Sequence, residues 1–503
     1  KNIGKVFLVG AGPGDPGLLT LRALECLQQA DLVLYDGLVN PLLLRHTSGK
    51  CERTSRATGV SGRKVGQPEI NQRLVEAGLS GLTVVRLKGG DPYIFGRGTE
   101  EARAVRDAGI PFEVVPGVTA ATAAGVYAGI SLTHREISSS VAFITGHEDP
   151  AKPASAIDYA NLAKFSGTLV FYMGLHRLPQ IAKTLLQHGK AGDTPACVVS
   201  KATTPHQQTV FAPLEQLPTV AKQANLRAPS LIIVGECVRQ RESIAWFEQR
   251  PLLGQRIGMT RADQQADEVL SMSVTLGAEP VVMPLIEIVP PENWNDVDQA
   301  IVELKQTDWL IFSSSNGVRF FMNRLLELGH DLRALGSVQL ATVGRATAAT
   351  LATFHLTADI VPQSHSSEDL ANALQTVVKG KRVLWAVADR RRKVLAEQLA
   401  DSCAEWNEVV VYQNRDIADL PADVVTQILE HKLNWITLSS PAIARRLAQL
   451  LPTPAKNEIG KTIHLVSISP LTTAAARDVG LTVCAEAKEA SWPAMFDAIV
   501  NHQ

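Results

Sequence analysis

The stretch that most constrains this chain is residues 84–98, VVRLKGGDPYIFGRG. A short apolar run reaches Lys88 and is followed at once by Gly89-Gly90, an acid, a proline and then Gly96-Arg97-Gly98. Core packing alone has no use for so much glycine directly after a strand. Backbone without a Cβ lets another segment or a ligand approach closely. Asp91 offers a carboxylate at the strand's C-terminal end, where open α/β sheets bind ligands. Gly and Pro also punctuate ordinary turns and helix caps, so the stretch takes its meaning from its company elsewhere in the chain.

That company is a repeated alternation of strand, small-residue loop and helix. Residues 5–10 (KVFLVG) read as a buried strand running into Gly10-Ala11-Gly12-Pro13-Gly14-Asp15-Pro16, with a helix expected over 18–29. A second strand over 31–35 ends at Asp36. An acid roughly 20 residues after such glycines resembles a dinucleotide fingerprint. Pro13 interrupts that loop, however, and Asp15 sets a negative charge where a pyrophosphate needs bare N–H groups. The expected ligand therefore carries no phosphates. A strand over 51–54 leads to a polar, glycine-rich loop at 58–66, with the composition of a segment that covers a cleft. Helices over 69–79 and 99–108 and a strand over 112–115 follow. Pro116-Gly117 then reads as a hinge before an alanine-rich helix over 120–128. Further strands are expected at 141–145, 168–172, 196–200, 207–211 and 230–234. Strands outnumber helices towards the end of this series, which predicts a mixed sheet. Residues 239–253 read as a capping segment and linker.

A new α/β unit is expected from the strand at 256–260, which ends at Arg261 and leads to a helix over 264–276. A strand over 279–283 runs into an extended connector at 284–288. An internal repeat follows. Residues 308–316 (DWLIFSSSN) echo 434–441 (NWITLSSP), and 340–351 (LATVGRATAATL) echo 465–476 (LVSISPLTTAAA). Each copy is an apolar strand ending in hydroxyls ahead of a helix. Ser and Thr there are routine N-caps, but at equivalent places in a repeat they also line an anion-friendly surface of helix N-termini. A strand over 382–387 is followed by Asp389-Arg390-Arg391-Arg392-Lys393, a candidate carboxylate clamp. The strand at 408–412 then returns towards the first lobe.

The 503 residues carry 49 basic and 50 acidic side chains, so no global field draws in nucleic acid and an anionic ligand must meet local basic clusters. Apolar content of 45% with only 5% aromatic suits aliphatic α/β cores. The six cysteines are scattered without a CxxC pair, which points to a reducing compartment and no zinc site. No leader and no apolar run of about 18 residues are visible, so the expectation is a cytoplasmic protein without a membrane span.

Six ordered segments carry a family resemblance: GAGPGDPGLLTL (10–21), LYDGLV (34–39), residues 84–98, VPGVTAATAAGVYAGISLTHR (115–135), TGH (145–147) and FYMGL (171–175). Together they closely resemble the uroporphyrinogen-III C-methyltransferases over about residues 2–249. The resemblance implies a two-lobed tetrapyrrole-methylase fold (lobes about 1–116 and 117–250), a homodimer, and S-adenosylmethionine as methyl donor, with S-adenosylhomocysteine as its product. Uroporphyrinogen III would be methylated on two ring carbons to give precorrin-2. Pro13, Gly89, Gly90, Asp91, Ile94, Thr119, Ala120 and Met173 match the family's cofactor contacts. Ala202 holds a contact position that is commonly glycine, and alanine there requires a negative φ. Asp36 matches the proposed general base, a role that suits carbon methylation, in which the ring loses a proton after methyl transfer. The family's proposed proton donor is a lysine. Arg56 stands in that segment, keeps the charge and is effectively never deprotonated, so its expected role is to bind a substrate carboxylate.

Residues 254 to about 500 resemble the uroporphyrinogen-III synthases, through Thr260-Arg261, the two serine-rich strand ends, VGRAT (343–347), the basic segment and VVVY (409–412). The resemblance implies two α/β lobes, 255–284 with 415–503 and 289–411, joined by a two-stranded connector. The implied reaction closes hydroxymethylbilane to uroporphyrinogen III with inversion of the last ring and needs no cofactor. Tyr412 matches the tyrosine proposed to assist hydroxyl departure. Ser314, Thr347, Ser440 and Thr472 match cleft hydroxyls, and Arg261 and Arg392 are the expected carboxylate partners. The two halves make consecutive chemical sense, since the second would produce what the first consumes. The alternative keeps the methyltransferase and makes the C-terminal half a degenerate regulatory or tetrapyrrole-binding domain.

Overall fold

The structure is a computed structural model and describes residues 3–54, 66–146, 157–261, 266–363 and 366–502. Its contacts divide the chain into two compact units, residues 1–257 with 271–280 and residues 258–270 with 281–503. Arg56, His147 and the glycine-rich loop at 58–65 lie outside the described residues.

The first unit opens with five strands: β1 (Lys5–Gly10), β2 (Leu32–Tyr35), β3 (Lys50–Arg53), β4 (Thr83–Lys88) and β5 (Phe112–Val115). They form one sheet in the order β3-β2-β4-β1-β5, and every pair is parallel. Parallel strands are covered on both faces, which is why these runs are apolar throughout. Alternate residues point to opposite faces. Phe7, Val9, Val33, Val85 and Leu87 pack with Ala23 and Leu27 of the helix Leu21–Gln28. Val6, Leu8, Leu32, Leu34 and Val84 pack with Ile70 and Leu74 of the helix Gln67–Leu79 and Val105 of the helix Gly98–Asp107. The helix expected over 18–29 is shorter than its pattern suggests. A 3-10 turn, Pro16–Leu18, intervenes because the Asp15 side chain accepts the Gly17 amide, and Thr20 then caps the helix proper.

A second sheet contains β6 (Val141–Thr145), β7 (Thr168–Tyr172), β8 (Pro195–Ser200), β9 (Gln208–Pro213) and β10 (Ser230–Val234) in the order β6-β7-β10-β8-β9. Only β6 and β7 run parallel, and the other pairings are antiparallel. The mixed sheet expected from the crowding of strands is thus observed.

Further on come β11 (Arg256–Met259), β12 (Glu279–Val282), β13 (Ile286–Val289), β14 (Trp309–Phe312), β15 (Gln339–Thr342), β16 (Arg382–Ala388), β17 (Glu405–Asp416), β18 (Trp435–Leu438), β19 (His464–Ser467) and β20 (Ala485–Glu486). One sheet has the order β12-β11-β18-β19-β20 and the other β13-β17-β16-β14-β15. The sequence repeat is a structural one: β14 runs parallel to β15, and β18 to β19, each strand leading straight into a helix. β17 spans far more than the expected 408–412. Its first part pairs parallel with β16, and its last residues pair antiparallel with β13, forming the two-stranded connector. Only the apolar middle of this strand carries the alternation that sequence reasoning reads.

Candidate active sites

β1 and β4 are neighbours, so both glycine loops leave the same edge of the first sheet. Gly12 and Gly90 exchange two backbone hydrogen bonds, of 3.2 and 2.7 Å, and both adopt positive φ. Gly117, after β5, closes the junction. A Cβ built on Gly117 would lie 2.3 Å from the Gly90 carbonyl oxygen and 2.7 Å from the Gly10 Cα. Three strand ends therefore meet at backbone contact, which only glycine permits. The Asp91 carboxylate accepts the amides of Tyr93 (2.8 Å), Ile94 (3.2 Å) and Gly117 (3.0 Å). It fixes the turn after β4 and ties that turn to the Pro116-Gly117 segment.

The second lobe supplies the other wall. The Thr119 hydroxyl lies 2.7 Å from the Tyr172 hydroxyl, which also accepts the Ala121 amide at 3.0 Å. The Phe95 ring sits 4.8 Å from that of Tyr172. Phe95, Met173, Lys201 and Thr203 all hold left-handed backbone without being glycine, a strained state that clusters at ligand sites. Ala202 is not among the left-handed residues, which meets the condition for alanine at that position. Leu38, Tyr93, Ile94, Phe95 and Met173 are exposed, so this edge presents apolar surface beside its polar backbone. Asp15 bridges the lobes, because its carboxylate accepts the Tyr127 hydroxyl (2.8 Å) and its amide donates to the Thr203 hydroxyl (3.1 Å). Burial, with Asp15 alongside, pushes the Tyr127 phenol above its ordinary range.

Asp36 follows β2 at the same edge. Its Oδ1 accepts from Arg86 and, at 3.2 Å, from the Thr54 hydroxyl. Arg86 also donates from Nε to Glu101 at 2.9 Å, and Lys88 donates to Glu101 at 2.9 Å. Arg86, Lys88 and Glu101 are all buried. Burial, with Arg86 next to it, lowers the Lys88 ammonium from its usual value. Sequence reasoning passed over this network, and over Tyr172 and Tyr127. The signal for the network was present: Arg86 and Lys88 are charges two apart in a strand otherwise apolar, hence on one face.

In the second unit, Tyr412 on β17 is buried, with its hydroxyl 3.0 Å from that of Ser314. Phe320 stacks on it at 5.8 Å. Burial raises the Tyr412 phenol, and Ser314 opposes that shift. Ser314 and Ser440 each cap the helix that follows, as the bland reading of such serines anticipates. Thr347 and Thr472 are buried, and Thr472 lies 3.1 Å from the Ser469 hydroxyl. Arg261 packs over the Trp492 ring at 5.7 Å, and burial lowers its guanidinium. The basic run is engaged by acids of its own surroundings. Arg390 pairs with Asp416 at 2.8 Å, Arg391 with Glu408 at 2.5 Å, and the exposed Arg392 with Glu368 at 3.5 Å. Ser314 and Tyr412 are thus brought together, whereas Ser440 and Thr472 stand at strand ends of the other sheet.

Residues 5–218 match the family model of tetrapyrrole (corrin/porphyrin) methylases, and residues 272–497 match that of uroporphyrinogen-III synthase HemD. The porphyrin biosynthesis protein HemD of Ruminiclostridium josui is 35% identical over 438 residues, which covers 87% of each chain. The chain belongs to this family of fused tetrapyrrole methylases and uroporphyrinogen-III synthases. It is a bifunctional enzyme of tetrapyrrole biosynthesis, with a tetrapyrrole methylase half and a uroporphyrinogen-III synthase half. The siroheme synthase of Zymomonas mobilis is 48% identical over 247 residues, and the alignment spans 49% of this chain and 52% of that one. Among solved structures, the uroporphyrin-III C-methyltransferase of Thermus thermophilus complexed with S-adenosyl homocysteine is 39% identical over 47% of this chain and 94% of its own, with a TM-score of 0.41. In the first unit, the glycine junction lies at the strand edge where Asp36 also stands, and Thr119 meets Tyr172, the residue before Met173. No helix among the described residues is long and apolar enough to cross a membrane, and no group of acids, histidines and cysteines among them could hold a metal ion.

Proposed function

We propose that the methyltransferase half uses S-adenosylmethionine to methylate two ring carbons of uroporphyrinogen III, giving precorrin-2. We propose further that the synthase half makes that substrate by closing hydroxymethylbilane with inversion of its last ring. The observation that carries the first reading is the edge where Gly90 meets Ala120, with Thr119 held against Tyr172 and Asp36 at the end of the neighbouring strand. A Cβ on Gly90 would have only the Ala120 amide nitrogen near it, at 3.8 Å, so space remains in front of this bend. Asp15 fills the other glycine loop with negative charge and turns phosphates away. A zwitterionic, phosphate-free donor suits both features. The donor supplies an electrophilic methyl group when bound. The protein's own groups orient the ring carbon in line with it. That carbon already bears a side chain and becomes quaternary on methylation, so the proton that Asp36 takes leaves from elsewhere on the macrocycle, a pyrrole nitrogen or an adjoining meso carbon. The exposed apolar side chains beside the site, Leu38 and Phe95 among them, suit the faces of a tetrapyrrole.

Tyr412 carries the second reading. A buried phenol donating to, or accepting from, Ser314 is held in one orientation, as the departure of a hydroxyl from the substrate requires. The family precedent adds a homodimer through the first half and a cytoplasmic location. One assay tests the whole: hydroxymethylbilane fed to the intact protein, with and without S-adenosylmethionine. Uroporphyrinogen III is expected without the donor and precorrin-2 with it. Formation of only the uninverted type I porphyrin would reduce the second half to a binding or regulatory domain. Asp36→Asn is expected to stop the sequence at uroporphyrinogen III, with methylation slowed about 10²-fold or more.

A further inference from the structure

The side chains of β4 do something that a stabilising core does not need. Arg86 and Lys88 leave one face of this central strand and are 2% and 3% exposed. Glu101, from the helix Gly98–Asp107, is 0% exposed and meets both. Gln67, from the helix Gln67–Leu79, donates to the same Glu101 oxygen at 3.1 Å. Replacing a buried ion cluster by apolar groups of similar volume is often neutral or stabilising, so stability alone does not account for it. The chain of contacts has a direction. It starts at a fully buried carboxylate and runs through the buried Arg86 to Asp36, which is partly exposed at the C-terminal end of β2. Among the described residues, both hydrogen bonds to the Asp36 side chain fall on Oδ1.

We propose that Glu101 is a positioning residue for methyl transfer: it fixes Arg86 through Nε, so that the far end of the guanidinium pins Asp36 Oδ1 and turns Oδ2 towards the ring proton. This rests on Asp36 being the base. An arginine has five donors on a planar fork, so gripping one edge of it orients the opposite edge. Lys88 balances the remaining charge. Arg86 and Lys88 face Asp36 and Glu101, two cations against two carboxylates.

The test uses the full chain and two charge-balanced double variants, because Glu101→Gln alone would strand two buried cations against one carboxylate. In Glu101→Met with Lys88→Met, Arg86 Nε loses its acceptor, while the other end of the guanidinium keeps Asp36, Thr54 and the Leu34 carbonyl. In Glu101→Gln with Lys88→Met, the net charge is the same but an acceptor for Nε remains. Methylation of supplied uroporphyrinogen III is followed by kcat and KM, S-adenosylhomocysteine binding by calorimetry, and ring closure from hydroxymethylbilane as the control for folding. The Met/Met variant is expected to lose about tenfold in kcat relative to the Gln/Met variant, with KM and S-adenosylhomocysteine affinity equal in the two. Equal kcat in both variants would overturn the proposal, as would a loss that appears in donor affinity instead. Asp36→Asn is run beside them. Parent-rate methylation by that variant would remove the base reading itself, whereas its failure together with equal double variants would remove only the role of Glu101.

Discussion

At Gly90 the backbone, not the available space, forbids a side chain. Its φ is +70°, and the nearest atom a Cβ would meet is 3.8 Å away. A β-branched residue resists that conformation strongly. Gly90→Val is therefore expected to move the β4 turn out of register with Gly12 and to abolish methylation, while ring closure by the other half continues. Separate assays of the two reactions on one preparation check this. Tyr172 offers a finer probe. Its hydroxyl engages both the Thr119 hydroxyl and the Ala121 amide, on either side of Ala120. Removing it in Tyr172→Phe leaves those groups unpaired at a cost of about 1–3 kcal/mol. The expected readout is a methyltransferase half that unfolds a few degrees lower and binds S-adenosylhomocysteine more weakly by calorimetry. The residue types of this site were legible as motifs, but Tyr172 was not, because a tyrosine closing an apolar strand looks like core.

Among the elements, β3 is an edge strand, and it is anchored by charge more than by packing. Arg73 on the helix Gln67–Leu79 grips Glu52 with two hydrogen bonds of 3.0 Å. The Arg73 guanidinium, helped by Lys50, holds the Glu52 carboxyl far below the usual range, at about 2. The folded-state value is depressed, so this stabilisation is fully present above the ordinary value of 4.5 and is lost as the pH falls towards 2. The pair is partly exposed, so its contribution is modest and screened by salt. Amide exchange in β3 is expected to accelerate relative to β1 on acidification through that window, and Arg73→Met should remove the acceleration by loosening β3 already at neutral pH. β4 teaches a related lesson. An apolar run interrupted by Arg86 and Lys88 still forms the central strand, because Glu101 and Asp36 meet the two charges. Propensity reads the strand but not what compensates its charges.

For the whole molecule, the proposed pair of reactions, joined in one chain, raises the local concentration of the intermediate between them. Unlabelled uroporphyrinogen III added during turnover of labelled hydroxymethylbilane is expected to dilute the label in precorrin-2 incompletely. Complete dilution would mean that the intermediate leaves before it is methylated. The internal repeat of the second half also belongs to this scale. Two strand pairs, β14 with β15 and β18 with β19, share one parallel arrangement, and each belongs to its own sheet. The long β17 lies between β16 and β13 in its sheet, pairing parallel with the one and antiparallel with the other.

The amino-acid sequence by itself determined the alternating α/β order, the mixed character of the second sheet and the strand ends at which glycine and hydroxyl residues gather. Those features are local, since they depend on periodicity and on residues that only certain backbone conformations accept. Tertiary structure decided which ends become neighbours. It set Gly10, Gly90 and Gly117 against one another across more than a hundred residues, committed Asp91 to backbone amides, and matched the run of arginines at 390–392 with acids from other segments. It also joined Asp36 to Glu101 through Arg86. The partner of a buried charge is chosen by the strand order of the sheet, and no spacing along the chain encodes that order.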